Sequence, residues 1–304
     1  MKIRKKTFYT AVIIFFVLAA LLTYAIVQNK NKGKYYFKEN SFHYPKDRAS
    51  PVYSISLKEE KDSINIYRIN FESRNFLEYK TTIYSLLIVP KDKKDIPGLI
   101  LLPGGSVTKE SEAILGEKIA NLGYAVLTLD QRGVGETGGY YLGFEEDYKI
   151  FSQGKEPTQH LSVYDALKAY DVLKATKKVD KNNIAIAGES MGGRYAIIAA
   201  AIEKRLKGAI VISSSGFHVK DENLPFTPYL LSVDPDNYID KISPNYVFMI
   251  HSANDSIIPI SDAKITFDLA KEPKKFFEVN SCAHGYCEEM HDELKEDLKV
   301  IFGK

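Results

Sequence analysis

The sequence has almost no net charge, although charged side chains are common in it. It carries 41 lysines and arginines against 39 aspartates and glutamates in 304 residues, a formal charge of +2 at pH 7. Binding to the phosphate backbone of nucleic acid depends on a surplus or a patch of basic side chains. Because the sequence has no such surplus, it indicates no nucleic-acid partner, and small molecules are the expected partners.

Cysteine is scarce as well. The chain has two cysteines, Cys282 and Cys287, and together with the histidine between them they fall short of the four ligands of a structural zinc site. No metal is therefore expected. If the domain faces an oxidising compartment, the pair can form a disulfide that clamps this loop. Two buried free thiols are the alternative.

The sequence has no internal repeat, and it has no low-complexity tract outside the polar, lysine-rich residues 28–40. A chain of 304 residues with 45% hydrophobic composition can bury a large core. The sequence therefore predicts one large domain, residues 41–304, preceded by an appendage.

The appendage is an apolar run at residues 8–27 that follows four basic residues. Its length matches the hydrocarbon thickness of a bilayer as a helix. It predicts a membrane anchor over residues 1–27 that spans once, with residues 28–40 as a polar stalk and the domain outside the cytoplasm. A cleaved signal peptide is the alternative, but it has a shorter apolar region, and no small-residue cleavage site follows Ala20.

Two patterns of apolar residues divide the large domain. Residues 52–57 and 63–71 alternate apolar and polar side chains, as half-exposed antiparallel strands do. From residue 98 onward, short apolar runs alternate with helical patterns, which predicts a doubly wound, mostly parallel α/β sheet with the antiparallel strands at one edge. Residues 216–244, rich in proline and aromatic residues, are predicted to form an irregular cap over the sheet. The alternative is a surface loop whose aromatic side chains pack against one another.

A serine motif follows one of the apolar runs. Residues 184–187 are a short buried strand, and Gly188-Glu189-Ser190-Met191-Gly192 leads without a polar spacer into a helical pattern. The two glycines lack bulk where helix meets strand. A sharp turn there lifts the Ser190 hydroxyl clear of the sheet, and the Met191 amide points to where an oxyanion would form. On this pattern alone, a glycine-rich turn with an incidental serine is the alternative.

A serine hydroxyl needs a base, and an imidazole is the best base when a carboxylate fixes its tautomer. Of the six histidines, only His251 and His284 lie where a loop leaves a predicted parallel strand. His284 precedes a glycine and can project, whereas His251 ends its strand and is expected to pack. Asp255 is the predicted acid. Asp130 also follows a strand, but its neighbour Arg132 suggests a structural ion pair.

The order Ser190, Asp255, His284 resembles that of the α/β-hydrolase superfamily, whose members carry serine, acid and histidine in loops at the carboxyl ends of the strands. The resemblance covers residues 81–302. It looks closest to the dienelactone hydrolase-like and acylaminoacyl-peptidase-like branches. The segments that carry it are residues 130–135, 188–193 and 255–259.

The resemblance implies an oxyanion hole formed by the amides of Met191 and Gly105, with Ser106 as the alternative to Gly105. It implies a serine hydrolase that uses no metal or organic cofactor and cleaves a carboxylic ester, thioester or amide through an acyl-enzyme. With the anchor expected from the apolar run, the predicted protein is a membrane-anchored serine hydrolase. The expected substrate is a small acyl compound or a short peptide. The alternatives are a small-peptide exopeptidase and a binding module of the same fold. Such modules typically lose a triad member, whereas this chain has all three.

Overall fold

A computed structural model of the protein describes residues 34–91, 93–220 and 224–303. The predicted membrane anchor, residues 1–27, lies outside these described residues. Among the helices that are described, none is both long and apolar enough to span a bilayer. The chain divides into two compact units after Ala49, and each unit is described by itself.

The described part of the first unit contains a small antiparallel hairpin. Its strands are β1 (Tyr36–Lys38) and β2 (Ser41–His43). The two residues between them, Glu39 and Asn40, have φ angles of 52° and 56°. Two positive φ angles in a two-residue loop form the turn whose twist matches that of a hairpin. The first strand and the turn after it lie within residues 28–40, the segment predicted as a polar stalk.

The second unit is built on one sheet, to which its described residues contribute nine strands. The order across the sheet is β3-β4-β5-β7-β6-β8-β9-β10-β11. Strands β3, β4, β5 and β7 pair antiparallel, and β7, β6, β8, β9, β10 and β11 pair parallel. The strands are β3 (Tyr53–Glu60), β4 (Ile64–Glu72), β5 (Thr82–Pro90), β6 (Ile96–Leu102), β7 (Ala125–Leu129), β8 (Val179–Glu189), β9 (Gly208–Ile212), β10 (Tyr246–Ser252) and β11 (Lys274–Val279). The predicted mostly parallel sheet with antiparallel strands at one edge is confirmed.

Helices cover both faces of this sheet. Leu99 and Ile210 belong to a buried cluster that also contains apolar residues of α1 and α7. Neighbouring residues of a strand point to opposite faces, and the neighbours Gly98 and Val211 lie against α3 and α4. The α-helices are α1 (Lys109–Asn121), α2 (Phe144–Ser152), α3 (Thr158–Ala175), α4 (Met191–Ile202), α5 (Thr227–Val233), α6 (Ile260–Leu269) and α7 (His291–Phe302). The predicted doubly wound arrangement is therefore confirmed.

The segment predicted as an irregular cap, residues 216–244, is partly helical. It contains α5 and two short 3-10 turns, Pro235–Asn237 and Ile239–Lys241. Tyr229 of α5 is completely buried, and its hydroxyl donates to Asp147 of α2 at 3.0 Å. The segment is thus held by side chains from a distant part of the sequence.

Four parallel strands end at the same edge of the sheet, and the loops that follow them meet there. The turn 103–105 follows β6, Ser190 follows β8, Asp255 follows β10 and His284 follows β11. This edge is where the sheet brings the candidate residues together.

Candidate active site

Ser190 is the single residue between β8 and α4. Its backbone has φ 51° and ψ −117°, a region that L-residues with a side chain rarely adopt and that stores strain at functional sites. Its amide donates to the carbonyl of Ile212 in β9 at 2.9 Å, and Ser214 Oγ donates to its carbonyl at 2.7 Å. The neighbouring strand therefore holds the strained turn in place.

The strained turn requires glycine on both sides of the serine. A Cβ on Gly188 would lie 2.4 Å from the carbonyl carbon of Gly192, and a Cβ on Gly192 would lie 2.3 Å from the carbonyl oxygen of Leu102. Both distances are far shorter than a van der Waals contact, so no larger residue fits at either position. The predicted need for small residues where helix meets strand is confirmed.

The structure brings His284 and Asp255 together although they follow different strands. His284 Nδ1 donates to Asp255 Oδ2 at 2.8 Å. The other carboxylate oxygen accepts from the amides of Ile257 and Ile258, each at 2.9 Å. The Asp255 side chain is completely buried, whereas 19% of the His284 side chain is exposed. The imidazole is thus oriented by a shielded carboxylate and keeps its Nε2 free of that contact.

The surroundings of Asp255 favour its charged form. Burial alone would raise the pKa of this carboxyl, but hydrogen bonds from the Ile258 amide, His284 and the Ile257 amide outweigh burial and hold the pKa below its usual value. A carboxylate that stays ionised at neutral pH can keep the proton of the imidazole on Nδ1.

His251, the other histidine at a strand end, is packed as expected. Its side chain is completely buried, and its Nε2 donates to the carbonyl of Ile258 at 2.9 Å. Nε2 also lies 3.4 Å from Asp255 Oδ2. Burial lowers the pKa of His251. A neutral, enclosed imidazole with its Nε2 proton committed to a carbonyl is placed to support the Asp255 loop.

Asp130, the other candidate acid, is part of a buried ion pair, but its partner is Lys109 and not Arg132. Lys109 Nζ lies 2.6 Å from Asp130 Oδ2, and both side chains are almost fully buried. Arg132 pairs with Asp165 at 2.7 Å. Because Lys109 is the first residue of α1 and Asp130 follows β7, the pair ties that helix to the sheet.

The loop that carries His284 is fastened to the serine turn. The Tyr286 amide donates to Glu189 Oε2 at 3.2 Å, and Ser213 Oγ donates to the Gly285 carbonyl at 3.4 Å. Glu189 directly precedes Ser190 and Ser213 directly follows β9. Two contacts therefore hold the histidine loop against the elements that position the serine, and neither was predicted from the sequence.

A disulfide closes the same loop. Cys282 and Cys287 are joined in the structure, with their Cα atoms 6.2 Å apart. Ser252 at the end of β10 donates a hydrogen bond to the Cys282 carbonyl. The loop around His284 is thus fixed by a covalent bond across its base and by a hydrogen bond to the strand before Asp255.

The turn after β6 lies beside the serine. A Cβ on Gly104 would be 3.6 Å from Ser190 Cβ, and a Cβ on Gly105 would be 3.8 Å from Met191 Cε. Met191 opens α4, so its amide is one of the first helical N–H groups and has no acceptor within the helix. Gln131 Nε2 donates to the Pro103 carbonyl at 2.6 Å and steadies the turn. The two amides predicted for an oxyanion hole, those of Gly105 and Met191, therefore belong to adjoining segments.

Two glutamates with raised pKa values, the buried Glu112 and the half-buried Glu189 of the serine motif, interact electrostatically. Burial and, as the smaller cause, the charge of Glu189 together raise the pKa of Glu112 on α1 to about 9. Burial also raises the pKa of Glu189, although the Tyr286 amide and His284 act in the opposite direction. Glu112 Oε1 is buried without a hydrogen-bond partner among the described residues. The sequence contained one signal of this pair, an acidic residue inside the serine motif.

Comparison with known proteins adds relatives from bacteria and fungi. A protein called uncharacterized protein YfhR, from Escherichia coli O157:H7, is 28% identical over 148 residues, which cover 46% of this chain and 52% of that protein. Hydrolase pyiE from Pyricularia grisea is 33% identical over 135 residues, 42% of this chain and 27% of that protein. The chain thus spans about half the length, or less, of these curated relatives.

Solved structures show the same fold. An acetyl xylan esterase from Paenibacillus sp. R4 superposes with a TM-score of 0.68 at 19% identity, over 82% of this chain and 88% of that one. A glucuronoyl esterase from Solibacter usitatus superposes with a TM-score of 0.64 at 15% identity, over 90% of both chains. These likenesses establish the α/β-hydrolase fold.

The family model described as acetyl xylan esterase (AXE1) matches residues 18–214, more than half of the chain. The match includes the strained turn with Ser190 and ends before the loops of Asp255 and His284. The α/β-hydrolase resemblance drawn from the sequence is therefore confirmed, and the chain belongs to the acetyl xylan esterase (AXE1) family.

Proposed function

We propose that this protein is a serine hydrolase that cleaves a carboxylic ester of a small acyl substrate through an acyl-enzyme. The observation that carries the proposal is the strained Ser190 turn together with the hydrogen-bonded His284–Asp255 pair. The loop that carries His284 contacts the elements on either side of this turn through Glu189 and Ser213. The family name and the solved esterases of the same fold favour an ester over an amide as the substrate.

In the proposed mechanism, Ser190 Oγ attacks the ester carbonyl while His284 Nε2 takes its proton. Asp255 holds the imidazole in the required tautomer and stabilises the imidazolium that forms. The amides of Met191 and Gly105 donate to the oxyanion of the tetrahedral intermediate. The intermediate collapses when His284 returns the proton to the leaving alcohol. Water, activated by the same imidazole, then hydrolyses the acyl-enzyme.

The proposal includes a single-pass membrane anchor formed by residues 1–27, with the catalytic domain outside the cytoplasm. It is supported by the length of the apolar run and the basic residues before it. The Cys282–Cys287 disulfide supports the topology, because disulfides persist in oxidising compartments.

Replacement of Ser190 tests the nucleophile. Ser190→Ala removes the hydroxyl and leaves the packing of strand and helix unchanged, so turnover of p-nitrophenyl esters should fall by roughly four to six orders of magnitude while Tm changes little. A fluorophosphonate probe should label the wild type at Ser190 and leave the variant unlabelled. A folded Ser190→Ala variant that still reacts with the probe would disprove the proposal.

The two histidines provide a matched comparison for the base. His284→Ala should lower turnover about as strongly as Ser190→Ala. His251→Ala removes a completely buried side chain and should instead lower Tm and leave most of the turnover. If His251→Ala abolished turnover in a folded protein and His284→Ala did not, the two roles would be exchanged.

A further inference from the structure

Arg194 lies on α4, in the first helical turn after Ser190. Its amide donates to the Ser190 carbonyl at 3.3 Å. Its guanidinium lies over the ring of Phe217 at 4.7 Å and near the ring of Phe144 at 5.9 Å. The backbone hydrogen bond from Arg194 to Ser190 spans four residues, so the backbone of Arg194 lies one helical turn after Ser190.

The aromatic residues place this guanidinium at the catalytic edge of the sheet. Phe217 follows β9 by a few residues, and Phe144 opens α2 after the loop that follows β7. Both segments leave the carboxyl ends of strands, as the loops of Ser190 and His284 do. The positive charge thus lies against segments that follow the carboxyl ends of strands, as Ser190 itself does.

Among the described residues of the second unit, Arg194 is the arginine for which no acidic partner is found. No described carboxylate forms an ion pair with it, and no hydrogen bond joins its guanidinium to a described residue, although the side chain is partly buried. A guanidinium has five N–H donors. The other four arginines of the second unit form ion pairs with carboxylates. They are Arg68, Arg74, Arg132 and Arg205.

Two acidic side chains of the adjoining elements, Asp147 and Asp236, are engaged elsewhere. Asp147 on α2 accepts from the amides of Thr158 and Gln159 and from the hydroxyl of Tyr229. Asp236 pairs with His218 at 2.6 Å. Among the described residues, neither of these carboxylates serves as an acceptor for Arg194.

Packing alone gives a weaker account of this arginine. Phe144 and Phe217 already contact each other edge to face, with centroids 5.3 Å apart. A guanidinium over their rings adds a cation–π contact worth about 0.5–1 kcal/mol at an exposed site, which an apolar side chain could replace. A partly desolvated arginine with unused donors is instead typical of a site that binds a carboxylate in a bidentate way.

We propose that Arg194 binds a carboxylate carried by the substrate, so that the preferred substrates are esters with an anionic group near the scissile bond. The inference rests on the proposed function of Ser190. Phe144 and Phe217 hold the guanidinium in one orientation, and the substrate carboxylate supplies the acceptor that the described residues do not.

The test compares an anionic ester with a neutral one. Mono-p-nitrophenyl glutarate and p-nitrophenyl butyrate share the leaving group and differ in the terminal carboxylate. Arg194→Gln should lower kcat/KM for the glutarate by about tenfold or more, the usual effect of losing a charge-assisted hydrogen bond, and should leave the butyrate within about threefold. Arg194→Lys should restore part of the loss, because it keeps the charge without the planar fork.

Arg68→Gln is the matched control, because it removes the same charge from a side chain on β4 that is 44% exposed. It should leave both substrates unchanged. Equal losses on both esters in Arg194→Gln would make the residue structural and overturn the inference. If Arg194→Gln does not fold, a wild-type KM for the glutarate equal to or above that for the butyrate would overturn it. A wild type that hydrolyses neither ester would instead count against the proposed function.

Discussion

Glu189 connects the nucleophile to the loop of the base. It directly precedes Ser190 in the chain, and its carboxylate accepts a hydrogen bond from the amide of Tyr286, two residues after His284. A shift of the His284 loop by a fraction of an ångström changes the geometry of proton transfer. Glu189 is therefore a positioning residue, which acts on the reaction through the loop.

Glu189→Ala should lower kcat/KM by about tenfold, because it leaves the Tyr286 amide without its acceptor and frees one side of the loop. Glu189→Gln retains an oxygen that can accept this hydrogen bond and should restore most of the activity. Ester turnover is measured for both variants and is expressed per mole of enzyme that a fluorophosphonate labels at Ser190. Equal activities for the alanine and glutamine variants would argue against the positioning role.

Glu112 provides the control, because it is buried and interacts electrostatically with Glu189, but no hydrogen bond joins it to the described residues of the loop that carries His284. Burial, together with the charge of Glu189, raises the pKa of Glu112 from the ordinary value of 4.5 to about 9. Between these pH values the folded state holds the proton and the unfolded state does not, so stability falls as the pH rises from 4.5 toward 9. Glu112→Gln should flatten this fall and raise Tm at pH 8 by roughly 2–4 °C for each pKa unit removed. Its ester turnover should stay near the wild-type value.

The site residues that were predicted from the sequence and those that were not differ in how their contacts arise. Ser190, Asp255 and His284 each follow a strand of a parallel sheet, so their meeting could be predicted from topology. The contact between Glu189 and Tyr286 joins residues 97 positions apart, and it depends on the path of one loop. No periodicity or spacing in the sequence encodes such a contact.

The loop between β11 and α7 carries the base and is closed by the Cys282–Cys287 disulfide. A bond across so short a loop constrains few residues, so chain entropy assigns it about 2 kcal/mol. Replacing both cysteines by serine should therefore lower Tm modestly. Turnover should fall about tenfold or more, because His284 loses its fixed position.

The disulfide is tested by mass spectrometry of unreduced peptides from protein made in its own host. One peptide pair linked through Cys282 and Cys287 is expected. Two thiols that alkylate freely would refute the bridge. A double serine variant with full turnover would show instead that the hydrogen bonds of Glu189 and Ser213 hold the loop without it.

Elements with continuous apolar runs were predicted well, whereas those that depend on distant partners were missed. The strands β6, β8 and β9 are buried along most of their length and were predicted from composition. Helix α2 was not, although three acidic residues stand in its first turn, as at many helix starts. Its Tyr148 packs on Phe226 at 4.7 Å, 78 residues further along the chain. Tertiary contacts of this kind stabilise short helices that local sequence does not specify.

For the whole molecule, the main prediction concerns attachment to a membrane. Full-length protein should remain in the membrane fraction through alkaline carbonate washing, because a helix of about 20 apolar residues inserts stably. A chain that begins at Lys34 retains strands β1 to β11. It should be recovered folded in the soluble fraction with unchanged ester turnover. The amino terminus of the mature protein separates this anchor from a signal peptide, since cleavage would remove the apolar run. Release of the uncleaved full-length chain by carbonate would contradict the anchor and leave the catalytic proposal for Ser190 untouched.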